Sequence, residues 1–314
     1  MKTPIFALYI LVTACFFGAC KKTENALEPS GIVNTYSVPQ GNNAYDNTIV
    51  DYYQKYGTYL LYKFTEKDAY WTPTVYNKPT ASAAGFWSAG AEVSVADPAY
   101  VAGQLSLIQS KWFGLYSDKF LKKFLPTKVL LCSKVDSISN GFIFGGPTIV
   151  YVKQTKKISA YYNYDNIQIN YGDQSVSSMT AAEQRTFLAK VNLIFIQSII
   201  ARGLTQPTTE FINSADYITA MTSAAQGYGK GILVPYYSVS AQLDWNAYIT
   251  AMVSYSTMNL NASTAITDLT PVGMLNVTKD TNGQMKKRYA IVRNYFINEY
   301  GVDLQLIGNA AKGI

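Results

Sequence analysis

Carboxylates, tyrosines and cysteines are the groups with which this chain can do chemistry, because its 314 residues include no histidine. Without an imidazole there is no side chain that ordinarily titrates near neutral pH. The Ser-His-Asp and Cys-His triads are excluded, and so is every zinc site built on histidine. Glu210, Asp216 and Asp244 lie in the same half of the chain and are candidates for the two carboxylates of a glycosidase, although solvated surface acids leave the same trace in a sequence. Asp280-Thr-Asn282-Gly283 opens like a calcium loop but lacks the later acids, which leaves a turn. Gly227-Tyr-Gly229-Lys230-Gly231 has the glycines of a phosphate-cradling loop without the Walker spacing or a following Ser or Thr, and reads as a connector.

Composition narrows the field further. A 48% hydrophobic and 15% charged chain of this length buries a substantial core. The net charge of +6 is spread without a long basic block, which argues against a nucleic-acid partner. The 26 tyrosines pair apolar area with a polar tip and suit strands, half-wet surfaces and binding clefts.

The N-terminus has the order of a bacterial secretion signal: Lys2, an apolar stretch from Pro4 to Ala14, then Cys15-Phe-Phe-Gly-Ala-Cys20 and the polar Lys21-Lys22. Small residues precede both Cys15 and Cys20, so both are acylation candidates. Cys20 is preferred because hydrophobicity stops there, which makes 1–19 the signal peptide. Acylation with more than one chain anchors a protein stably to a membrane. With Cys20 acylated, Cys132 has no partner and reads as a small core residue.

These groups must be positioned by the elements that the apolar pattern predicts. Residues 20–44 are a flexible tether, and 45–314 form one domain. Helices are expected over 46–62, 104–124, 243–258 and 286–300, with strands over 59–64, 128–133, 141–153 and 161–171. Thr180 and Glu183 form a capping box for a central helix that runs to about Arg202, before Gly203. Its segment 191–200 is apolar almost all round, as expected of a buried helix. The fold class is α+β: a small mixed sheet, a buried central helix over 180–202, and a helical C-terminal half.

In the order and spacing of several segments the chain resembles the substrate-import-associated zinc metallohydrolase lipoproteins of Bacteroidota-type bacteria, a zincin-like, metallopeptidase-like family. The segments are Tyr45-Asp46 through Phe64, Trp112 through Pro126 with the strand 128–132, Ser139-Asn140-Gly141, and Pro207 through Ile212. They continue with Gly231 through Tyr236, Tyr289 through Phe296, and Tyr300 through Leu304. The resemblance implies that an H-E-x-x-H motif, whose histidines sit one turn apart and hold zinc, falls on residues 193–197. Leu193 and Gln197 stand at the histidine positions and Ile194 at the glutamate position. A later acidic segment of the family matches 242–247, where Leu243 and Ala247 occupy two acidic positions and only Asp244 keeps a carboxylate. Asp244 is therefore either a relic of a metal site or an acid at a helix N-terminus.

The resemblance thus implies a zincin-like domain without its zinc, hence no cofactor and no catalytic residue, whose former site is filled by burial of Leu193 and Ile194. It further implies an outer-membrane lipoprotein, on the cell-surface or periplasmic face, that acts as a binding or accessory component. Its partners would be a TonB-dependent receptor and that receptor's substrate-binding lipoprotein, its cargo a peptide or glycan. Asn192, Gln197 and Asp244 are candidates to line a remaining cleft, with Trp245 or the Tyr236-Tyr237 pair as a stacking surface. The alternative is a hydrolase that works through carboxylates or a metal held without histidine.

Overall fold

The computed structural model describes residues 36–146 and 148–314. Cys15, Cys20 and the apolar stretch before them lie outside the described residues. The sheet, the helices and the whole hydrophobic core belong to a compact unit, Val38–Ile314, which therefore carries its own core. Residues 38–44, expected in the tether, are part of it. The Gln40 side-chain carbonyl accepts from the amides of Tyr62 (2.9 Å) and Lys63 (3.0 Å), and Asn43 caps the first helix.

That helix, α1 (Ala44–Tyr56), stops at Gly57, earlier than the tyrosine spacing suggests, and β1 (Tyr59–Leu61) follows. The helix predicted over 104–124 is two. α2 (Glu66–Tyr70) and β2 (Gly90–Val95) precede α3 (Val101–Lys111), and a 3-10 turn then turns Trp112 and Phe113 into the core. Ser117 starts α4 (Asp118–Phe124) by accepting from the Phe120 amide at 3.2 Å.

One long strand, β3 (Lys128–Ile143), runs on from the strand expected over 128–133 to the start of the one expected over 141–153, whose far end belongs to the next strand. The first half of β3 is parallel to β1 and to β6 (Asn166–Ile169), with Val129 opposite both Leu60 and Ile167. Buried on both faces, that half is continuously apolar from Val129 to Cys132. Its second half is antiparallel to β2 and to β4 (Val150–Lys157) and projects as a ribbon. The strand expected over 161–171 is a hairpin of β5 (Ala160–Asn163) and β6, turning at Tyr164, whose φ is 46°. The result is a six-stranded mixed sheet.

The central helix forms as expected. α5 (Ala181–Ala201) starts at the Thr180/Glu183 capping box and packs against β5 and β6. Its aromatics Phe187 and Phe195 are both fully buried, Phe195 edge-on to Trp112 and Tyr116. The C-terminal half is helical: α6 (Thr209–Asn213), α7 (Ala224–Gly229), α8 (Ala241–Ser254), α9 (Thr257–Asn261), α10 (Gln284–Tyr300) and α11 (Leu304–Lys312). Among the described residues no helix is long and apolar enough to cross a membrane.

α11, absent from the sequence-based expectation, packs against α5 and α8. Its approach depends on Gly308, where a Cβ would lie 2.5 Å from the Tyr255 carbonyl oxygen and closer still to that of Met252. Gly308→Ala is therefore expected to push α11 away and lower stability by about 1–3 kcal/mol, the usual cost of overpacking. An unchanged urea midpoint would show that the two backbones are not in contact.

Candidate functional site

Helical periodicity places residues four apart on one face, so Leu193 and Gln197 look out from α5 together while Ile194 and Phe195 turn inward. The half-buried Leu193 and the exposed Gln197 face α8 across a groove of about 720 Å³. Leu243, Asn246 and Ala247 of α8 form the opposite wall, Leu233-Val234-Pro235 closes one side, and Lys312 stands at the rim. The floor is mostly hydrocarbon. Gln197 and Asn246 contribute amides, and the Asn246 side-chain carbonyl is engaged by Gln242 at 3.0 Å.

The four positions that the resemblance associates with metal ligands or acids, Leu193, Gln197, Leu243 and Ala247, thus share one groove. The expectation that Leu193 and Ile194 both fill it is half corrected. Ile194 is buried in the core, but Leu193 is half-buried and lines an open depression, because it lies on the outward face of α5. One neutral amide and three hydrocarbon side chains do not fit a zinc ion, which takes nitrogen, sulfur or carboxylate ligands. Among the described residues no group of three or more His, Cys, Asp or Glu is arranged to hold a metal.

Asp244 does not face the groove. It is fully buried in an ion pair with Arg288 of α10, which is equally buried, at 2.7 Å. The Tyr217 hydroxyl donates at 3.0 Å to the same carboxylate oxygen that Arg288 engages, and the other oxygen accepts from the amides of Leu233 (2.7 Å) and Val234 (3.4 Å). Burial pushes the carboxyl up, against the opposing pull of Arg288 and of these donors. The guanidinium also donates to the Phe211 carbonyl (3.0 Å), to Ser214 Oγ (2.6 Å) and to the Tyr217 hydroxyl, and lies 3.7 Å over the Phe211 ring. Asp244 therefore pins the loop that walls the groove and contacts nothing that enters it.

Other expected cleft residues are corrected for similar reasons. Asn192 is buried and donates to the carbonyls of Lys111 (2.9 Å) and Leu188 (2.8 Å), because it sits on the inner face of α5. Trp245 is buried too, its Nε1 donating to Thr205 Oγ1 at 2.9 Å and its ring edge-on to Phe211. Tyr237 is exposed and stands edge-on to Tyr236, beyond Pro235 and off the groove lining. Of the expected lining residues, Gln197 alone faces the groove.

The three acids named as hydrolytic candidates do not converge. Asp216 is held well below the usual carboxylate range by Thr219 and by Lys230, which is 2.9 Å away. Glu210 borders a separate depression with Lys287 and Asn298. Asp280 accepts from the Met285 and Lys286 amides at 2.8 and 3.0 Å and so caps α10. The glycine-rich segment 227–231 is no loose connector: it completes α7, and the Gly231 carbonyl accepts from Tyr248 at 2.8 Å. A Cβ on Gly231 would lie 2.5 Å from Arg288 Cδ. Cys132 is buried in β3, and burial pushes its thiol up. Sequence reasoning missed Arg288 and Tyr217; in the sequence Arg288 is the last of three consecutive cations, indistinguishable from a solvated helix face.

No family model matches the chain, and no curated protein matches it. Among solved structures, that of a "putative zinc-binding metallo-peptidase" from Bacteroides caccae is similar over 86% of this chain and 90% of its own, with 11% identity and a TM-score of 0.44. A likeness this distant assigns neither activity nor metal.

Proposed function

We propose that this protein is a non-catalytic binding component of a bacterial envelope, on a zincin-like framework whose metal site has become an apolar groove that takes a segment of peptide. One observation carries the reading: Leu193, Gln197, Leu243 and Ala247 line a single open groove and offer hydrocarbon and one neutral amide where a metallohydrolase needs ligands. Wide grooves floored by apolar side chains with a few amides suit extended peptides, whose backbone groups seek hydrogen bonds between apolar anchors. A glycan is less well matched, since Trp245 is buried and Tyr236-Tyr237 lie off the lining. Acylation at Cys20, an outer-membrane location and a place beside a TonB-dependent receptor and its substrate-binding lipoprotein belong to the same proposal. They are supported by the N-terminal pattern and the resemblance. The rival, hydrolysis by carboxylates, has less support because Glu210, Asp216 and Asp244 occupy separate surroundings.

The test is fluorescence anisotropy with labelled apolar peptides, alongside elemental analysis for zinc. Binding is expected, without cleavage and with substoichiometric metal. Ala247→Trp and Gln197→Trp, which fill the groove from opposite walls, are each expected to weaken binding at least about tenfold, or 1.4 kcal/mol. Cleavage of the peptides, stoichiometric zinc, or affinity indifferent to both substitutions would sink the reading.

A further inference from the structure

The ribbon formed by β3 and β4 ends in a tip that is apolar on both faces. Phe142 pairs with Tyr151 and Ile143 with Val150, and neighbouring residues of a strand point to opposite sides. Phe142 is 53% exposed, Ile143 55%, Val150 52%, and Phe144 beyond the strand 76%. Phe144 stacks beside Phe142, and Phe86, itself exposed, stands edge-on to Tyr151. Contiguous apolar surface of this kind marks a contact site rather than the scatter of single exposed side chains normal on a protein.

Charge follows along the ribbon behind the tip. Lys153, opposite Asn140, pairs with Glu92 at 2.5 Å and lies 4.4 Å over the Trp87 ring. Further along β4, Lys156 and Lys157 are exposed, and Lys134 stands near Glu92 and Asp136. Four lysines against two acids leave the ribbon positive from Lys153 back to its base. An apolar end, then aromatic rings, then lysines is the sequence of environments across a membrane interface. Hydrocarbon meets acyl chains there, aromatic rings sit at the headgroups, and ammonium groups meet anionic phosphates.

We infer that the β3–β4 tip inserts into the headgroup region of an anionic lipid surface. The occupant follows from two features. A protein partner covers one face of a ribbon, whereas Phe142 and Ile143 expose opposite faces, which suits a medium that surrounds the tip. A second copy of this chain would bring its own lysines against those of the first. The inference is independent of the groove and of acylation at Cys20; with such an anchor, the tip would supply a second point of attachment and restrain the orientation of the domain.

The test is sedimentation of a chain beginning at Tyr36, which retains the whole core, with phosphatidylethanolamine vesicles that contain about one-third phosphatidylglycerol. Association is expected, weakened by salt and on purely zwitterionic vesicles. Phe142→Asp with Phe144→Asp is expected to reduce the bound fraction at least about tenfold with an unchanged melting temperature. Lys156→Glu with Lys157→Glu should remove the preference for anionic lipid. In a separate variant, Phe144→Trp should blue-shift on vesicles and be quenched by brominated acyl chains. Absence of association, association indifferent to the aspartates, or an unquenched tryptophan would overturn the inference. A tryptophan that stays in water on vesicles but becomes buried on adding a solubilised envelope protein would assign the tip to a protein partner instead.

Discussion

Arg288→Met is expected to destabilise the fold by about 3–5 kcal/mol, because it leaves the Asp244 carboxylate buried without its cation. Both members of the pair are wholly enclosed, and Arg288 also supplies donors to Phe211, Ser214 and Tyr217, which lose them at the same time. Urea denaturation monitored by tryptophan fluorescence reads the loss, and Trp245 is a near reporter. Asp244→Leu combined with Arg288→Met is expected to recover a large part of it, since an uncharged, well-packed pair avoids the desolvation penalty that the single variant exposes. The Leu233 and Val234 amides remain unpaired in the double variant, so full recovery is not expected, and peptide affinity should stay reduced as the groove wall loosens. A loss below about 1 kcal/mol for Arg288→Met would mean that water reaches the pair, as at exposed ion pairs.

The second large effect comes from placing metal ligands in the groove. Leu193→His, Gln197→His and Ala247→Glu together are expected to create a site for zinc, with two imidazoles one helical turn apart on α5 and a carboxylate from the facing wall of α8. Zinc at a thousandfold over its dissociation constant would stabilise the variant by about 4 kcal/mol, seen as a zinc-dependent rise in melting temperature that the parent lacks. Omitting Ala247→Glu should abolish most of the gain. A triple variant indifferent to zinc would show that α5 and α8 are not in the register of a metal site, and the descent assumed in the proposed function would lose its main physical support.

The parts of the fold legible in advance were those governed by local rules. The capping box at Thr180 and Glu183 and the unbroken apolar run after it placed α5 within a residue of its ends, because cap chemistry and burial agree there. Elements that depend on distant partners were misread. β3 was expected to stop at residue 133, since Ser133, Lys134 and Asp136 interrupt its apolar pattern, yet β2 pairs along that stretch and β4 joins it from Asp136 onward. The split of 104–124 into α3 and α4 was hidden because Trp112 and Phe113 fit a helical face as well as the turn that buries them. α11 carries only nine residues and is stable through its packing on α5 and α8.

The candidate site divides along the same line. Absence of histidine and the helical spacing of Leu193 and Gln197 follow from residue identity and the period of the helix, and no tertiary arrangement alters them. Which way Asp244 faces was decided by Arg288, reaching it from α10, 44 positions further along the sequence. A buried carboxylate exists only where a matching cation and donors meet it, and pairing across that distance leaves no periodic mark in a chain. The groove is likewise a property of how α8 packs beside α5, and the exposed tip of where β3 and β4 together outrun the rest of the sheet. Composition determined that this protein lacks imidazole chemistry; packing decided that Leu193 and Gln197 line an open groove while Asp244 is sealed in the core.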